Sequence, residues 1–243
     1  MRGLKLFIIN LERSGERRER MLEQIRPYAR SLDFRFFKAV DAQKDEHLEF
    51  SGHFSRVLVY LFKGRDLSKA EKACFASHFS LWRKCAALNE PVFVLEDDVV
   101  LKDGFLRGIT DIASSGHAYV RLYALFERKI HPLRDGYGLT FEKVSGGQGY
   151  YLTPKAAKNF IKKAGRWFCP LDDYLDLFFW HKVPNILHLP YLLELADQGS
   201  VIGGRRSGAT ALHFKIIREI FRIFRFIYKE LYLLLHKRKM LRL

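Results

Sequence analysis

Three short apolar runs, each ended by polar residues, constrain this chain most. Leu4-Lys5-Leu6-Phe7-Ile8-Ile9 reads as a buried first strand. Ser14 then precedes a charged stretch, Gly15 to Arg26. Its Met21, Leu22 and Ile25 form an apolar stripe at helical spacing, and Pro27 ends it. Phe34-Arg35-Phe36-Phe37-Lys38-Ala39-Val40 is a second strand, finishing at Asp41. Strand, helix, strand at this spacing predicts a βαβ unit and a parallel sheet. The third run, Val92-Phe93-Val94-Leu95, meets Glu96-Asp97-Asp98 directly.

The remaining segments fill out an α/β pattern. Ser68 and Glu71 have capping-box spacing and open a helix through about Leu88, stopped by Asn89-Glu90-Pro91. Residues 119–126 predict another strand, and Ser145-Gly146-Gly147-Gln148-Gly149 is a glycine loop. Thr153-Pro154 starts a helix to about Lys163, with proline at the first helical position, and Pro170-Leu171-Asp172-Asp173 opens another. Residues 42–67 carry no clear period.

Composition excludes several classes. With 243 residues, 48% of them hydrophobic, the chain can bury a sizeable core, which rules out a disordered protein. No apolar run approaches the roughly 20 residues that span a bilayer. Three cysteines make a disulfide scaffold implausible and suit a reducing compartment. The amino terminus lacks the pattern of a signal peptide, so the expected location is the cytoplasm.

The net charge of +15 calls for an anionic partner. Residues 213–243 hold nine Lys or Arg and two Glu, a net of +7, leaving 15 − 7 = +8 for the first 212. On a helix, Ile217, Ile220, Phe221, Phe224, Ile227, Leu231 and Leu235 fall within an arc of about 120°, and Arg218, Arg222, Arg225 and Lys229 within about 60° on one flank. Such a helix either docks on the protein's own core, makes a homodimer contact, or lies on an anionic membrane surface.

Three consecutive acids at the end of a buried strand must face a cleft or a cation, because burying unpaired carboxylates costs several kcal/mol. On an extended backbone Glu96 and Asp98 share one face, about 7 Å apart. That suits a hard divalent cation, Mg²⁺ or Mn²⁺, and the carboxyl end of a strand is where open α/β sheets bind ligands. A solvated acidic turn is the alternative. On the helix from Lys69, Glu71, Cys74 and His78 share a face with Ser77 beside them. Glu71 also has its capping role, and His78 can be a core histidine. Ser14 is either an N-cap or part of a phosphate site with Arg13, Arg17 and Arg18.

Together these segments resemble glycosyltransferase family 25. The residues that carry the likeness are Leu6 to Ser14 with Arg17-Arg18, Leu67 to His78, Val94-Leu95-Glu96-Asp97-Asp98, Gly149 to Ala157, and Pro170-Leu171-Asp172, in that order. Ala70 and Ala73 stand where the family usually has glycine. The resemblance implies a GT-A-type fold: a mixed Rossmann-like sheet flanked by helices over residues 1–212, with a nucleotide half to about residue 100 and an acceptor half from 101. Residues 213–243 follow as a basic amphipathic, membrane-associating helix. It also implies an inverting, metal-dependent hexosyltransferase using UDP-galactose or UDP-glucose with Mn²⁺ or Mg²⁺. The acceptor would be lipooligosaccharide at the inner face of an anionic inner membrane.

The implied roles follow residue by residue. Asp98 is the metal ligand, and Glu96 a second ligand or a ribose contact. Asn10, Leu11, Arg13, Ser14, Arg17, Asp41, Glu71, Ser77, His78 and Asp97 bind the nucleotide sugar. Asp172 or Asp173 is the general base, although Asp172 can equally cap its helix. Tyr150 and Gln198 are sugar contacts. Two rivals are weaker. The basic excess of a nucleic-acid binder is concentrated here in one helix, with no nucleic-acid module, and a magnesium phosphoryl-transfer enzyme would need a phosphate-cradling loop after the first strand.

Overall fold

The computed structural model describes residues 3–196 and 212–243, and the side chains of the last helix from Ile216 onward. Gln198 lies outside the described residues. In chain order, β1 (Leu4–Asn10), α1 (Gly15–Ile25) and β2 (Leu32–Lys38) form the expected βαβ unit. Then come α2 (Arg56–Lys63), α3 (Lys69–Leu88), β3 (Val92–Glu96), β4 (Val99–Leu101), α4 (Phe105–Ser114) and β5 (Tyr119–Arg121). The chain continues through β6 (His131–Pro132), β7 (Tyr137–Leu139), β8 (Gly149–Leu152), α5 (Pro154–Lys163), α6 (Leu171–Leu175) and α7 (Phe178–His181). β9 (Ile186–His188), β10 (Leu193–Leu195) and α8 (Leu212–Met240) complete it.

The main sheet runs β2-β1-β3-β8-β5-β9-β7-β6. Its first three strands are parallel, while β8 enters antiparallel between β3 and β5. The fold is thus a mixed α/β sheet flanked by helices, consistent with the GT-A class. β1 and β3 are in register so that Ile9 lies opposite Glu96. The polar residues ending both strands therefore meet at one sheet edge. On one face α3 packs Phe75 and Trp82 against Trp167, Phe160 and Tyr174, a close-packed aromatic layer that fixes α3 over that edge.

Several expectations need correction. β2 covers residues 32–38 rather than 34–40. β5 stops at Arg121; Leu122 N still donates to Gly149 O, but Leu125 N and Phe126 N both donate to Val144 O in the segment before β8, so the ladder is not continued. The acid triplet is not extended: β3 ends at Glu96, and Asp97 and Asp98 form the turn into β4. Three adjacent carboxylates cannot continue a strand flanked on both sides, so Glu96 and Asp98 do not share a strand face. Ser14 makes no side-chain cap; its carbonyl instead accepts from Asn10 Nδ2 and from the Arg18 amide. Residues 42–67 hold a 3₁₀ segment, Glu46–His53, and α2, which Ser55 caps.

α8 is docked by one edge of its apolar arc, Phe221, and by the basic flank beside it, while the rest of the arc is turned outward. Phe221, Tyr232 and Leu233 pack on the body, Arg225 stacks 4.2 Å from the Phe62 ring centre, and Lys182 lies 3.9 Å over Tyr232. Ile220, Phe224, Ile227, Leu231, Leu234 and Leu235 face solvent, Leu234 at 82% exposure. Among the described residues no helix is long and apolar enough to cross a membrane.

Candidate active site

The turn after β1 is tied to the acid turn. Asn10, buried at the end of β1, donates through Nδ2 to Asp97 Oδ2 at 2.7 Å. Arg17, in the first turn of α1, donates to Asp97 Oδ1 at 3.1 Å and lies 4.0 Å from Asp98 Oδ2. Asp97 is therefore held by an amide and a guanidinium, which leaves its neighbours to face the cleft. Arg13 pairs with Asp41, whose other oxygen accepts from the Gln43 amide. Burial would raise the Asp41 carboxyl, but Arg13, the Gln43 amide and the Lys44 charge together outweigh it and keep Asp41 below its ordinary value. Ser77 accepts from the Val40 amide and donates to the Ala73 carbonyl, which pins α3 beside the end of β2.

His78, buried on α3, lies with Nε2 3.2 Å from Glu96 Oε1 and Nδ1 2.9 Å from Tyr150 Oη. Trp82 Nε1, which can only donate, reaches the same Tyr150 oxygen at 2.9 Å. Tyr150 thus has its own proton left for Nδ1, which places the imidazole hydrogen on Nε2, directed at Glu96. Burial holds His78 neutral, with a pKa of about 3. Tyr150 is itself buried beneath His78, so it positions the histidine and is not a sugar contact.

Glu96 and Asp98 are short of positive charge. Burial, followed by the neighbouring carboxylates, lifts Glu96 to about 8 and Asp98 to about 7. Asp98 Oδ1 is buried with no hydrogen-bond partner among the described residues. An orphaned carboxylate oxygen beside a second crowded carboxylate suits a hard divalent cation, which prefers oxygen donors and removes this repulsion. Cys74 stands close by, with the potential ligand atoms of Cys74, His78 and Glu96 all within 4.8 Å of one another. Burial and the surrounding carboxylates push its thiol well above the ordinary value, so it stays protonated.

One pocket gathers Leu11, Arg13, Arg17, Ser77, His78, Glu96, Asp97 and Asp98 from the expected set, against an apolar wall that includes Ala70 and Ala73. The two alanines that stand in place of glycines thus line the cleft itself. Asn10 and Asp41 stand behind this wall as the partners of Asp97 and Arg13. Ser14 acts through its carbonyl. Glu71 is not in the pocket: Arg65 grips both its oxygens at 2.6 and 2.8 Å, and it closes the capping box with Ser68.

The glycine loop and Asp172 lie beside the acid turn, outside the residues that line this pocket. Glu96 N donates to Gln148 O at 2.8 Å, and a side-chain carbon on Gly147 would lie 3.4 Å from Glu96 Oε1 and 3.6 Å from Asp172 Oδ1. Gly147 therefore lets Asp172 approach the acid turn. Burial raises the Asp172 carboxyl, partly offset by the Arg121 charge. Asp173 points elsewhere, taken up by Lys63 at 2.7 Å and by Lys143.

Sequence reasoning missed Arg121 and Asp176, the pair that shapes this loop. Arg121, fully buried, donates to the carbonyls of Ser145 and Gly146 and to Asp176 Oδ1, and Asp176 Oδ2 accepts from the Ser145 amide. The available signal was a lone arginine inside the apolar run Tyr119-Val120-Arg121-Leu122.

Residues 4–132 match the family described as "Glycosyltransferase family 25 (LPS biosynthesis protein)". Similar proteins include an Aedes aegypti "Glycosyltransferase 25 family member", 35% identical over 72% of this chain and 30% of its own length. A Mus musculus "Procollagen galactosyltransferase 2" is 31% identical over 42% of this chain and 17% of its own. A Haemophilus influenzae "Lipooligosaccharide biosynthesis protein lic2B" is 31% identical over 39% of this chain and 34% of its own. The chain thus spans about a third or less of the length of these relatives.

Proposed function

The chain belongs to glycosyltransferase family 25, and on that premise we propose that it transfers a hexose from a UDP-sugar, with inversion, to a lipooligosaccharide acceptor. The observation that carries the reading is the convergence of Arg13, Arg17, Glu96 and Asp98 on one pocket, with Asp98 Oδ1 lacking a partner. A nucleoside diphosphate needs cations for its phosphates, and Arg13 and Arg17 supply them beside the first turn of α1. Asp98, with Glu96, would hold the divalent ion, which when bound neutralises charge on the leaving diphosphate. Glu96 is oriented by His78, and Asp97 by Asn10 and Arg17.

Asp172 is the general base. The acceptor oxygen bonds to the anomeric carbon as that carbon's bond to the phosphate oxygen breaks. The hydroxyl proton passes to Asp172, and UDP leaves with the bonding pair. A single displacement of this kind inverts the centre. A carboxyl raised from its ordinary range is better matched to this task at neutral pH. Galactose is the first choice of sugar, in keeping with the galactosyltransferase among the relatives, and glucose the second. The acceptor reading draws on the family description and the Haemophilus relative.

The outward apolar arc of α8 and the basic run Lys237-Arg238-Lys239 support a further part of the reading: the enzyme works peripherally on the anionic cytoplasmic face of the inner membrane. Replacing Leu234 and Leu235 together by Asp should strip the protein from anionic vesicles.

Because one human family member is named inactive, the deciding experiment is activity itself. UDP release is measured from a panel of UDP-sugars with Mn²⁺, with and without acceptor. Release from one UDP-hexose, stimulated by lipooligosaccharide and abolished by EDTA, is the expected result. No release from any donor would overturn the reading.

A further inference from the structure

The seam between α8 and the body contains two adjoining cavities, each of about 230 Å³, and neither belongs to the catalytic cleft. They share Phe62, Leu177, Phe179 and Arg225. The first is polar. Its acids Asp176 and Asp173 are already matched, the one by Arg121 and the other by Lys63 and Lys143. What remains is Glu142 against Arg222, Arg225 and Lys229. Arg222 reaches Glu219 on its own helix, whereas Arg225 and Lys229 have no carboxylate within ion-pair distance among the described residues. The second cavity is lined by Leu58, Phe168, Trp180, Phe221, Phe224 and Tyr228, with Arg225 its only charged residue among the described residues.

Arg225 marks the division. Its guanidinium is held over the Phe62 ring, half-buried, and burial presses its pKa below the ordinary value. The carboxylate that acts on it, Asp173, is beyond ion-pair distance and already shared by Lys63 and Lys143, so a partly desolvated Arg225 gains from a further anion. At the other end, Phe224 lines the apolar cavity and is also 66% exposed, on the outward apolar arc. The apolar cavity therefore adjoins the outward apolar face of α8.

We propose that this seam binds one phospholipid of the bilayer, its phosphate against Arg225, Lys229 and Arg222 and its acyl chain in the groove between Trp180, Phe168 and Phe224. An anion alone would leave the groove empty, and a neutral apolar chain would leave Arg225 unpaired. A phosphate-bearing amphiphile satisfies both. The inference rests on the reading of α8 as a membrane-surface helix and does not depend on the sugar transferred.

The test uses the full chain and three soluble probes below any micelle-forming concentration: a lysophosphatidic acid, the monoacylglycerol with the same chain, and glycerol 3-phosphate. Lysophosphatidic acid should bind one to one, at least tenfold tighter than either half-molecule. Arg225→Gln and Lys229→Gln should each weaken it fivefold or more, with thermal unfolding as the control for fold. Leu234→Asp should leave this binding unchanged while lowering retention on vesicles of phosphatidylglycerol and phosphatidylcholine. Equal binding of lysophosphatidic acid and glycerol 3-phosphate would overturn the proposal by showing an anion pocket only. Equal binding of the monoacylglycerol would overturn it by showing that charge is not read, as would indifference to both pocket substitutions. Tight, Arg225-dependent lipid binding without vesicle retention would support the seam site and sink the membrane-surface reading instead.

Discussion

His78 Nε2 lies 3.2 Å from Glu96 Oε1, across 18 residues of sequence. The contact ends a chain of hydrogen bonds that begins at Trp82 and passes through Tyr150. Its consequence is directional: a neutral imidazole with its proton on Nε2 sets one oxygen of Glu96 and leaves the other for the cleft. Removing the Tyr150 hydroxyl (Tyr150→Phe) leaves both Nδ1 and the Trp82 N–H without a buried partner. A loss of about 1–3 kcal/mol is expected on chemical denaturation, together with a raised donor KM. Unchanged stability would show that the relay is not formed.

Asp98→Asn should lower transfer about 100-fold or more, because an amide is a poorer partner for a divalent ion than a carboxylate. The fold should survive, since removing charge from a crowded carboxylate pair does not disturb the core. Measuring turnover against added Mn²⁺, alongside the melting temperature, checks both halves. Full activity in excess EDTA would refute the metal.

Asp172 and Asp173 should separate cleanly. Asp172→Asn is expected to cut kcat by roughly 10²–10⁴ with donor affinity nearly unchanged, as for loss of a base. Asp173→Asn strands two lysines that are themselves partly exposed, at 26% and 53%. Its main effect should be a stability loss of about 1–3 kcal/mol, discounted for that exposure. Steady-state kinetics and urea unfolding on the pair decide; a collapse of donor affinity in Asp172→Asn would move that residue to the nucleotide site.

Gly147→Ala probes the approach of the two halves of the site. The added carbon would sit 2.8 Å from Leu171 Cδ2, and close to both Glu96 and Asp172. Turnover should fall at least tenfold, while UDP, which the proposed function places beside Arg13 and Arg17, should keep its affinity within about threefold. Calorimetric titration with UDP and a rate assay test the split.

The acid limb of stability should draw on Glu71 and Asp173, with Asp41 adding in the same sense. In each, burial alone would raise the carboxyl, but Arg65 for Glu71, and Lys63 and Lys143 for Asp173, bring it below the ordinary values of 4.5 and 3.8. Depressed folded-state values stabilise above the unfolded pKa and lose that contribution as pH falls through the folded one. Unfolding free energy should therefore drop below about pH 4.5. Glu71→Gln should flatten that slope while lowering stability at pH 7. An unchanged slope would exclude Glu71 as a source.

Local pattern made several features legible: β1, α1 and β2, the Ser68–Glu71 cap, α5 from Thr153-Pro154, and the strand that delivers Glu96 to the sheet edge. Each is written within a few residues, by periodicity, capping chemistry or an apolar run. The acid triplet marked the site because buried carboxylates demand a reason, and family resemblance assigned its chemistry. Tertiary structure decided the rest. Asn10 meets Asp97 across 87 residues, Lys63 meets Asp173 across 110, and Arg121 meets Asp176 across 55. No local rule chooses between Asp172 and Asp173, which differ by one helical step of about 100°. Nor could periodicity say which side of α8 would dock: most of the apolar arc faces outward, whereas Phe221 at its edge, with Arg225 and Tyr232, faces in. Amphipathicity fixes which residues share a face of a helix, whereas the shape of the surface it meets selects the face that is buried.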